Sequence, residues 1–430
     1  MHPFMGIEDW DRVGISVEQS AKRLQRIAFI DREVMRIEAA HMIARPEYEL
    51  KGALGRMNWQ DALHHDQLRL RCKQLRMSTF SFDKCPDDAL LELTNRTLES
   101  ATSLALLASL FEIIKPAQIE AINQYLQVAQ PIVDEPTMTI LRHQLIEREE
   151  QIRWGLSALK ELQATESPEV REKTKQWKRY IRSLLDAAGG VHGTAERKQV
   201  DPALVVASEP FVLPKFSVRE DRVKTEMIKL KGITFGDTDD DRFKMMMFTR
   251  FFEMSPAEAV AHIQFSTKGK PWNFYLDTAR HLWDEVRHSW FGQAALRTHG
   301  YEIYSYPHWT GWYDMTSNAF EQDEAYTHLT ITIEKGAMKY PPGKREEWEF
   351  CRDVAKDPLM TTFQDFDWAD EVVHAGFGQR WVVDELYGGD NRKAQEAADA
   401  TLIKRKRFFS RYDEKNGDHT DWHQFFRGEY

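Results

Sequence analysis

The sequence predicts an all-α protein built from two tandem four-helix bundles, and three observations support this fold class. Glycine and proline are sparse, with 22 and 16 copies among 430 residues, which favours long helices over turn-rich β structure. Apolar residues recur at helical spacing, and no segment has the alternation typical of a strand. Each half of the chain offers four long helices with shorter elements between them, which is the layout of an up-down bundle.

In the first half, helical spacing begins at Val17 and stops at Arg45-Pro46, because the residue before a proline avoids the α region. Asp87 or Asp88 is the predicted N-cap of a later helix, and Pro116 suits the first turn of another. The remaining predicted helices of this half cover approximately residues 58–77, 88–114, 136–162 and 168–188.

In the second half, a helix is predicted from Asp239, with a kink or interruption at Pro256. Pro271 begins a long helix that reaches Arg297. The other predicted helices cover approximately 317–338, 345–386 with a break near Pro358, and a cationic segment over 392–409 that is followed by an aromatic tail.

Composition divides the chain into domains. Residues 1–188 are predicted to form one helical domain, and Gly189-Gly190 opens a proline-bearing linker over 189–238 with little periodicity. Residues 239–390 are predicted to form the second helical domain, and 391–430 a C-terminal helix and tail.

Bulk properties exclude several classes of protein. The net charge of −10 gives no basic surface for nucleic acid. The three cysteines are odd in number and lack C-x-x-C spacing, which argues against a disulfide framework or a thiolate zinc site. No G-x-G-x-x-G or P-loop indicates a nucleotide cofactor. We expect a soluble cytoplasmic protein, because no signal peptide is visible and the most apolar run, 104–114, is too short to span a membrane.

Two segments of the second half carry the same pattern of candidate metal ligands. Asp284–His288 and Asp370–His374 each contain Glu-x-x-His with an aspartate directly before the glutamate, and they are followed by short runs that end in Gly292 and Gly378. On a helix, residues three apart lie on one face, so each segment presents a carboxylate and an imidazole together. A single match is weak evidence, since one also occurs at Glu38-x-x-His41. Two matches with the same flanks are much harder to attribute to chance.

Helix-hairpin spacing predicts a third ligand. Facing residues of an antiparallel hairpin lie equally far from its turn, and the turn before the first motif centres near Gly269. Glu285 and Glu253 both lie 16 residues from that turn. Glu253 is therefore the predicted partner of Glu285. Glu258 is an alternative, because Pro256 disturbs the helix between them.

The same reasoning gives a fourth ligand with a wider margin. The connection before the second motif centres near Phe350, which places the partner of Glu371 near residue 329. Glu334 is the chosen carboxylate, because it lies on a helical apolar background, and Glu324 is the alternative. A di-metal bundle needs this set, in which two helices each supply a glutamate and two others each supply Glu-x-x-His.

The motifs also contain groups that can orient the histidines. A metal-bound histidine usually donates its other N–H to a carboxylate. Asp284 is predicted to hold His374, and Asp370 to hold His288, across the two helices. Arg287 can pair with either aspartate. His281, one turn before Glu285, is a candidate further ligand or proton relay.

With its two Asp-Glu-x-x-His motifs, the chain resembles the ferritin-like di-iron carboxylate oxygenases and oxidases over approximately residues 239–388. That family includes the hydroxylase components of bacterial multicomponent monooxygenases and the small subunit of class I ribonucleotide reductase. The resemblance implies six metal ligands with two aspartates behind them: Glu253, Glu285, His288, Glu334, Glu371 and His374, with Asp284 and Asp370. One departure is that Ala337 and Met338 stand where many oxygen-activating members carry a threonine.

The resemblance implies two Fe ions and O2 as co-substrate, with Mn/Fe or two Mn as alternatives, because Glu and His suit these metals alike. We expect an O2-dependent oxidase or oxygenase that acts on a small organic substrate, with electrons from a reductase or from the substrate. The alternatives are a Mn-dependent catalase or peroxidase and a helical binding or scaffold protein with an inert site. A homodimer is left open. The aromatic loop over 299–314 is expected to pack against the outer helices, or to wall a substrate pocket.

The first half resembles a degenerate repeat of the second. Glu150 and Arg153 stand where the first motif has Glu285 and His288, and a guanidinium cannot bind metal. A weaker second site is nevertheless predicted from a turn near residue 51 and from a cluster of acids and histidines: Glu38, His41, Asp61, His64, His65, Glu112 and Glu150. The favoured interpretation of this half is a structural domain with buried ion pairs.

Overall fold

The structure is a computed structural model that describes residues 6–223, 238–306, 308–341 and 343–416. These residues form helices joined by loops, with no β-strand among them, which confirms the predicted all-α class. This description leaves out residues 1–5, residues 224–237 of the predicted linker, and the aromatic tail beyond residue 416.

The chain divides into two compact units whose boundaries differ from the predicted domains. The first unit comprises the described residues up to 38 together with 60–212. The second unit comprises 39–59 together with the described residues from 213 onward. The linker predicted over 189–238 is therefore shared between the two units.

The helices of the first half begin and end near the predicted positions in most cases. In order, they are α1 (Val17–Ala44), α2 (Tyr48–Gln74), α3 (Thr79–Phe82), α4 (Asp88–Leu98), α5 (Ser103–Ser109), α6 (Lys115–Val128), α7 (Glu135–Thr165) and α8 (Pro168–Ala187).

One predicted helix of this half is wrong in its length. The helix predicted over 88–114 is interrupted after Leu98, because Thr102 starts a new helix by accepting a hydrogen bond from the backbone N–H of Ala105. Asp87 is the N-cap of α4, which is one of the two predicted caps.

The second half contains the helices that carry the predicted metal ligands. They are α9 (Asp239–Phe251), α10 (Met254–Ser266), α11 (Trp272–Thr298), α12 (Gly311–Ala319), α13 (Gln322–Thr327), α14 (Lys335–Ala337), α15 (Lys344–Phe350), α16 (Pro358–Gly378) and α17 (Asn391–Asn416). None of the described helices combines the length and the apolar composition needed to cross a lipid bilayer.

The interruption predicted at Pro256 lies between α9 and α10. Glu253 is the N-cap residue of α10, and Pro256 falls in the first turn, where a backbone N–H has no intrahelical partner to lose. Gly269, with φ of +76°, lies in the turn between α10 and α11 at the predicted place. The helix hairpin that pairs Glu253 with Glu285 is therefore present.

The helix α2 begins at Tyr48, ten residues before the predicted start. Gly52 and Gly55 weaken the helical pattern there, since glycine has low helix propensity. A Cβ at Gly52 would lie 2.7 Å from the indole nitrogen of Trp290, and one at Gly55 would lie 2.7 Å from Val286. The glycines therefore let this part of α2 pack closely against α11 within the second unit.

Several segments of the described chain have π-helical hydrogen bonding, in which the helix is locally wider. They are Leu110–Ile114, His328–Glu334, Cys351–Ala355 and Gln379–Leu386. Glu334 is the last residue of the second of these segments, between α13 and α14. Single π-helical turns occur frequently at functional sites.

A buried histidine in the second unit gives folding a pH dependence. Nδ1 of His328 lies 2.9 Å from the hydroxyl of Thr401, and the rings of Trp312 and Phe320 pack against the imidazole. Burial, and then the positive charge of Arg405, lower the pKa of His328 to about 3. The folded chain therefore keeps this ring neutral.

We expect the free energy of unfolding to fall as the pH drops from 6.5 toward 3, because only the unfolded chain protonates His328 in that range. The stability is fully present above pH 6.5, which is the ordinary histidine value. Replacing His328 by Asn retains a partner for Thr401 but removes the titration. The loss between pH 7 and pH 4, measured by urea unfolding, should shrink by roughly 1 kcal/mol or more. The exposed His143 is the control, and an equal effect of His143→Asn would contradict this account.

Candidate metal centre

The second unit brings the six predicted ligands into one cluster. Glu285 and His288 project from α11, and Glu371 and His374 from α16, while Glu253 and Glu334 come from the two helix junctions. Five of the six are buried, and the side chain of Glu253 is 14% exposed. Three overlapping groups of donor atoms lie within 4.8 Å of one another: His281, Glu285, Glu334 and His374; Glu253, Glu285 and His288; and His288, Asp367 and Glu371.

The first group has two imidazoles and two carboxylates. Nε2 of His281 lies 3.4 Å from Oε1 of Glu285 and 3.6 Å from Oε1 of Glu334. Nδ1 of His374 lies 3.7 Å from the same Glu285 oxygen. The rings of His281 and His374 stack with centroids 3.9 Å apart. His281, which the sequence marked as a further candidate, therefore belongs to the cluster.

The second and third groups surround His288. Its Nδ1 lies 3.4 Å from Oε2 of Glu253 and 3.5 Å from Oδ1 of Asp367. Asp367 precedes Glu371 by four residues, so both carboxylates lie on the same face of α16.

Two hydrogen bonds cross between α11 and α16 in the arrangement that the sequence predicted. Nε2 of His374 lies 3.2 Å from Oδ2 of Asp284, and Nε2 of His288 lies 3.2 Å from Oδ2 of Asp370. A carboxylate only accepts hydrogen bonds, so both histidines carry a proton on Nε2. Their Nδ1 atoms consequently face the cluster.

Two arginines balance the charge of these aspartates. Arg280 donates from Nε to both oxygens of Asp284, at 2.8 and 2.7 Å, and from a terminal nitrogen to Asp370 at 3.2 Å. Arg287 bridges the same two aspartates. The predicted role of Arg287 is therefore present, and Arg280 adds a second cation.

The cluster contains an unusual number of buried polar atoms that have no hydrogen-bond partner. Native proteins pair nearly all such atoms, so a group of them requires a physical explanation. Each faces another ligand-type atom across 3.4 to 3.7 Å, a separation that a cation can bridge. They are Glu253 Oε2, His281 Nε2, His288 Nδ1, Glu371 Oε2 and His374 Nδ1. Their chemistry, with three imidazoles and several carboxylates, fits Fe, Mn or Zn.

Proton affinities in the cluster are strongly perturbed. Burial would lower the pKa of His374, but its hydrogen bond to Asp284 and the nearby carboxylates of Glu371 and Glu285 raise it to about 9. Burial, and then the charges of Glu371 and Glu285, raise the pKa of Glu334 well above its ordinary value. Protons therefore compete with any cation for these atoms.

His281 shows the opposite behaviour. Burial, and then the positive charge of His374, lower its pKa, so the imidazole is neutral and has a free lone pair. A neutral imidazole is the form of histidine that binds metal.

Two buried cations that the sequence did not reveal also touch the cluster. Nζ of Lys344 lies 2.8 Å from Asp367 and 2.9 Å from Glu371. Arg250 donates to Asp367 and pairs with Glu253, both at 2.8 Å. Burial would raise the pKa of Glu371, but Lys344 holds it well below its ordinary value.

Helical spacing could have revealed Asp367, since it lies four residues before Glu371 on the same face. No local signal identifies Lys344. It follows a proline-glycine loop, and its burial is fixed by the packing of α15 against α16.

The final glycine of each motif marks a close helix crossing. A Cβ at Gly292 would lie 2.0 Å from the backbone nitrogen of Phe251, two residues before Glu253. A Cβ at Gly378 would lie 2.7 Å from the side chain of Thr330. These glycines let the segments that carry the other two glutamates approach α11 and α16.

Replacing Gly292 by Ala should destabilise the protein by about 1–3 kcal/mol, because a backbone segment must move to admit the methyl group. Thermal unfolding measures the effect. Gly376 provides the matched control, since it is exposed in α16 and a Cβ there meets nothing within 4 Å. Gly376→Ala should leave stability unchanged or raise it by up to about 1 kcal/mol. Equal effects of the two substitutions would contradict the close crossing.

The alternative ligands lie elsewhere. Glu258 is fully buried, but it is held by Arg219 at 2.6 Å and Lys51 at 2.8 Å. Glu324 pairs with Lys404 at 2.7 Å and takes part in the capping box of α13. The structure therefore favours Glu253 and Glu334 over these two residues.

Several residues of the predicted aromatic loop pack against other parts of the second unit. The ring of His308 contacts Tyr48 and Phe251 edge-on, and the hydroxyl of Tyr313 donates to the backbone of Pro214. The packing role that the sequence favoured is confirmed for these residues.

The first unit contains a second cluster of buried charges, which includes Asp31, Asp61 and His64. Nζ of Lys115 lies 2.8 Å from Asp61 and 3.1 Å from Glu38, and Arg148 lies 2.7 Å from Asp31. An ammonium and a guanidinium therefore form buried ion pairs with these three carboxylates and offset part of their charge, as the favoured interpretation of this half expected.

The other residues predicted for this site lie outside that cluster. His65 donates to the carbonyl oxygen of Ala28, and Glu112 pairs with Lys178. The predicted turn near residue 51 is wrong, because that residue lies inside α2. The residues placed elsewhere are His41, His65, Glu112 and Glu150.

The spacings around α7 repeat those around α16. Gly155 lies seven residues after Arg148, and Gly378 lies seven residues after Glu371. A Cβ at Gly155 would lie 2.1 Å from the ring of Phe111, which is four residues before Lys115. By this spacing, Arg148 corresponds to Glu371, and Lys115 corresponds to Glu334. The sequence comparison had used Glu150 instead.

No family model, curated protein or solved structure matches the chain.

Proposed function

We propose that the second unit holds two metal ions, and that the protein is an O2-dependent di-iron oxidase or oxygenase acting on a small organic substrate. One observation carries the proposal. Each motif histidine pairs through Nε2 with an aspartate and presents an unpartnered Nδ1 to a carboxylate oxygen 3.4 Å away. This is the orientation in which a metal-bound histidine is held.

The donor set supports a pair of ions. Four glutamates and three histidines are more ligands than one ion uses, and four carboxylates neutralise two divalent ions. The resemblance to the ferritin-like di-iron carboxylate family points in the same direction. The proposed ligands are Glu253, Glu285, His288, Glu334, Glu371 and His374, with His281 as a seventh.

Two bound iron ions would supply the electrons and open coordination positions that O2 reduction requires. The chain's own residues orient the imidazole ligands and shield the site from solvent. Asp284 and Asp370 fix the two imidazole rings, and Arg280 and Arg287 form ion pairs with both aspartates. The buried walls keep water from the site.

A small pocket of the second unit lies beside the cluster. Its cavity volume is about 10 Å³, room for one water molecule, and its walls are mostly apolar and aromatic. The hydroxyl of Tyr326, one of the wall residues, lies 3.5 Å from Nδ1 of His281. The lining residues are Ile263, Thr267, Lys270, Phe274, Asp323, Tyr326, Trp381, Val382 and Leu386. A small apolar or aromatic molecule would fit here only after these side chains move apart.

His288→Ala and His374→Ala should each reduce iron loading from two ions per chain to one or none, because each removes an imidazole from the cluster. Iron per chain, measured by elemental analysis after anaerobic reconstitution, tests this. His64→Ala in the first unit is the matched control, since His64 is the one imidazole in a cluster of acids that Lys115 and Arg148 already contact. Normal loading in both site variants, or loss of iron in the control, would contradict the proposed centre.

Leu386→Trp should leave iron loading unchanged while filling the pocket, because Leu386 lines the pocket and contributes no ligand. The iron-loaded, reduced protein is mixed with O2 and a panel of small aromatic and aliphatic compounds. O2 uptake and product masses are then recorded. We expect oxidised product from wild type and at least about tenfold less from the variant, since entry is blocked.

The control for bulk is Ile403→Trp, at a position 59% exposed. Rapid disproportionation of H2O2 by the Mn-loaded wild type, with no O2 uptake by the iron form, would favour the catalase alternative. A protein that contains no iron after reconstitution would contradict the proposed enzyme function.

A further inference from the structure

We propose that the two metal positions are unequal, and that the ammonium of Lys344 occupies the carboxylates of one position until a second ion displaces it. This inference rests on the proposed metal centre. The histidine-rich position is defined by His281, Glu285, Glu334 and His374. The lysine-bearing position is defined by Glu253, His288, Asp367 and Glu371.

The histidine-rich position is ready for a cation. Its four donor atoms lie within 4.8 Å of one another, and all four residues are buried. Within the described part of the chain, neither Glu285 nor Glu334 forms an ion pair with a lysine or an arginine; their ion-pair partners are His281 and His374. The two carboxylates are therefore balanced by one divalent ion.

Cations already occupy the lysine-bearing position. Nζ of Lys344 lies 2.8 and 3.1 Å from the two oxygens of Asp367, and 2.9 Å from Oε1 of Glu371. Arg250 donates to Asp367 and pairs with Glu253, both at 2.8 Å. Both cations are buried, so water screens their charges very little.

The charge balance decides the order of loading. The lysine-bearing position has three carboxylates and two fixed cations, which leaves one net negative charge for a divalent ion to meet. The histidine-rich position has two carboxylates and no fixed cation in contact. A divalent ion therefore gains more at the histidine-rich position, and must compete with Lys344 for Asp367 and Glu371 at the other.

The first unit also contains a buried lysine that contacts two buried carboxylates. There, Lys115 contacts Asp61 at 2.8 Å, Glu38 at 3.1 Å and the amide oxygen of Gln151 at 2.9 Å. All of these groups are buried. A lysine that bridges two buried carboxylates therefore occurs in both units.

Two consequences follow for the second unit. The chain folds with its carboxylates partly balanced before any metal arrives. The ions then bind in sequence, the first to two nitrogens and two carboxylates, and the second to a position with one nitrogen and up to three carboxylates. Imidazole suits Fe and Zn, while an oxygen-rich position suits Mn, so the two positions also differ in metal preference.

The test is an anaerobic titration of the full-length, metal-free protein with Mn²⁺, followed by calorimetry and by electron paramagnetic resonance. Wild type should bind two ions in two steps whose affinities differ at least about tenfold, and should show an isolated Mn²⁺ signal after one equivalent. Lys344→Met should tighten the second step at least about tenfold, because the competing ammonium is gone.

Two further variants keep the inference falsifiable. Lys344→Arg retains the cation and should retain the two separate steps. Lys339→Met removes an exposed lysine from the loop before α15 and should titrate as wild type does. If Lys344→Met does not fold without metal, its refolding in Mn²⁺ with two ions per chain supports the inference, and failure to refold in Mn²⁺ overturns it.

The inference and the proposed centre fail in different ways. A wild type that binds two ions in one step of equal affinity, or a Lys344→Met variant with an unchanged second step, overturns the role of Lys344 alone. A wild type that binds no Mn²⁺ overturns the metal centre as well.

Discussion

The two hydrogen bonds that cross between α11 and α16 are the interaction on which the candidate site depends. Asp284 holds His374 and Asp370 holds His288, so each helix orients the imidazole of the other. Both Nδ1 atoms then face the carboxylates, where no protein donor meets them. The crossing requires the helices to lie close together and the negative charge of the aspartates to be offset. The motif glycines meet the first requirement, and the bridging arginines meet the second.

Buried charge limits what each unit can do. Burial of an ion costs several kcal/mol unless close partners offset it. In the first unit, Lys115 and Arg148 contact three carboxylates and offset part of their charge. In the second unit, Lys344 and Arg250 likewise offset part of the negative charge. Unpartnered ligand atoms remain in both clusters, but those of the second unit include three imidazole nitrogens, whereas those of the first include one, Nδ1 of His64.

Local patterns were sufficient for the fold class and for most of the candidate site. Helical spacing and sparse glycine predicted the all-α chain, and the turn at Gly269 located Glu253. The pattern failed where tertiary packing decides. The first ten residues of α2 were not predicted to be helical, because Gly52 and Gly55 weaken the pattern, and these glycines pack against α11. Lys344 is unremarkable in sequence, and only the docking of α15 buries it against Asp367. In the first half, residue identity aligned Glu150 with Glu285, whereas the spacing from Gly155 selects Arg148.

X-ray absorption spectroscopy of the iron-reconstituted protein tests the central claim most directly, because it reports the atoms around each ion and the distance between ions. The account predicts two iron ions per chain, with imidazole nitrogen in their coordination shells and an iron–iron distance of about 3–4 Å. His374→Ala should lose part of the imidazole contribution. Iron surrounded by water-like oxygen alone, with no second iron nearby, would contradict the account.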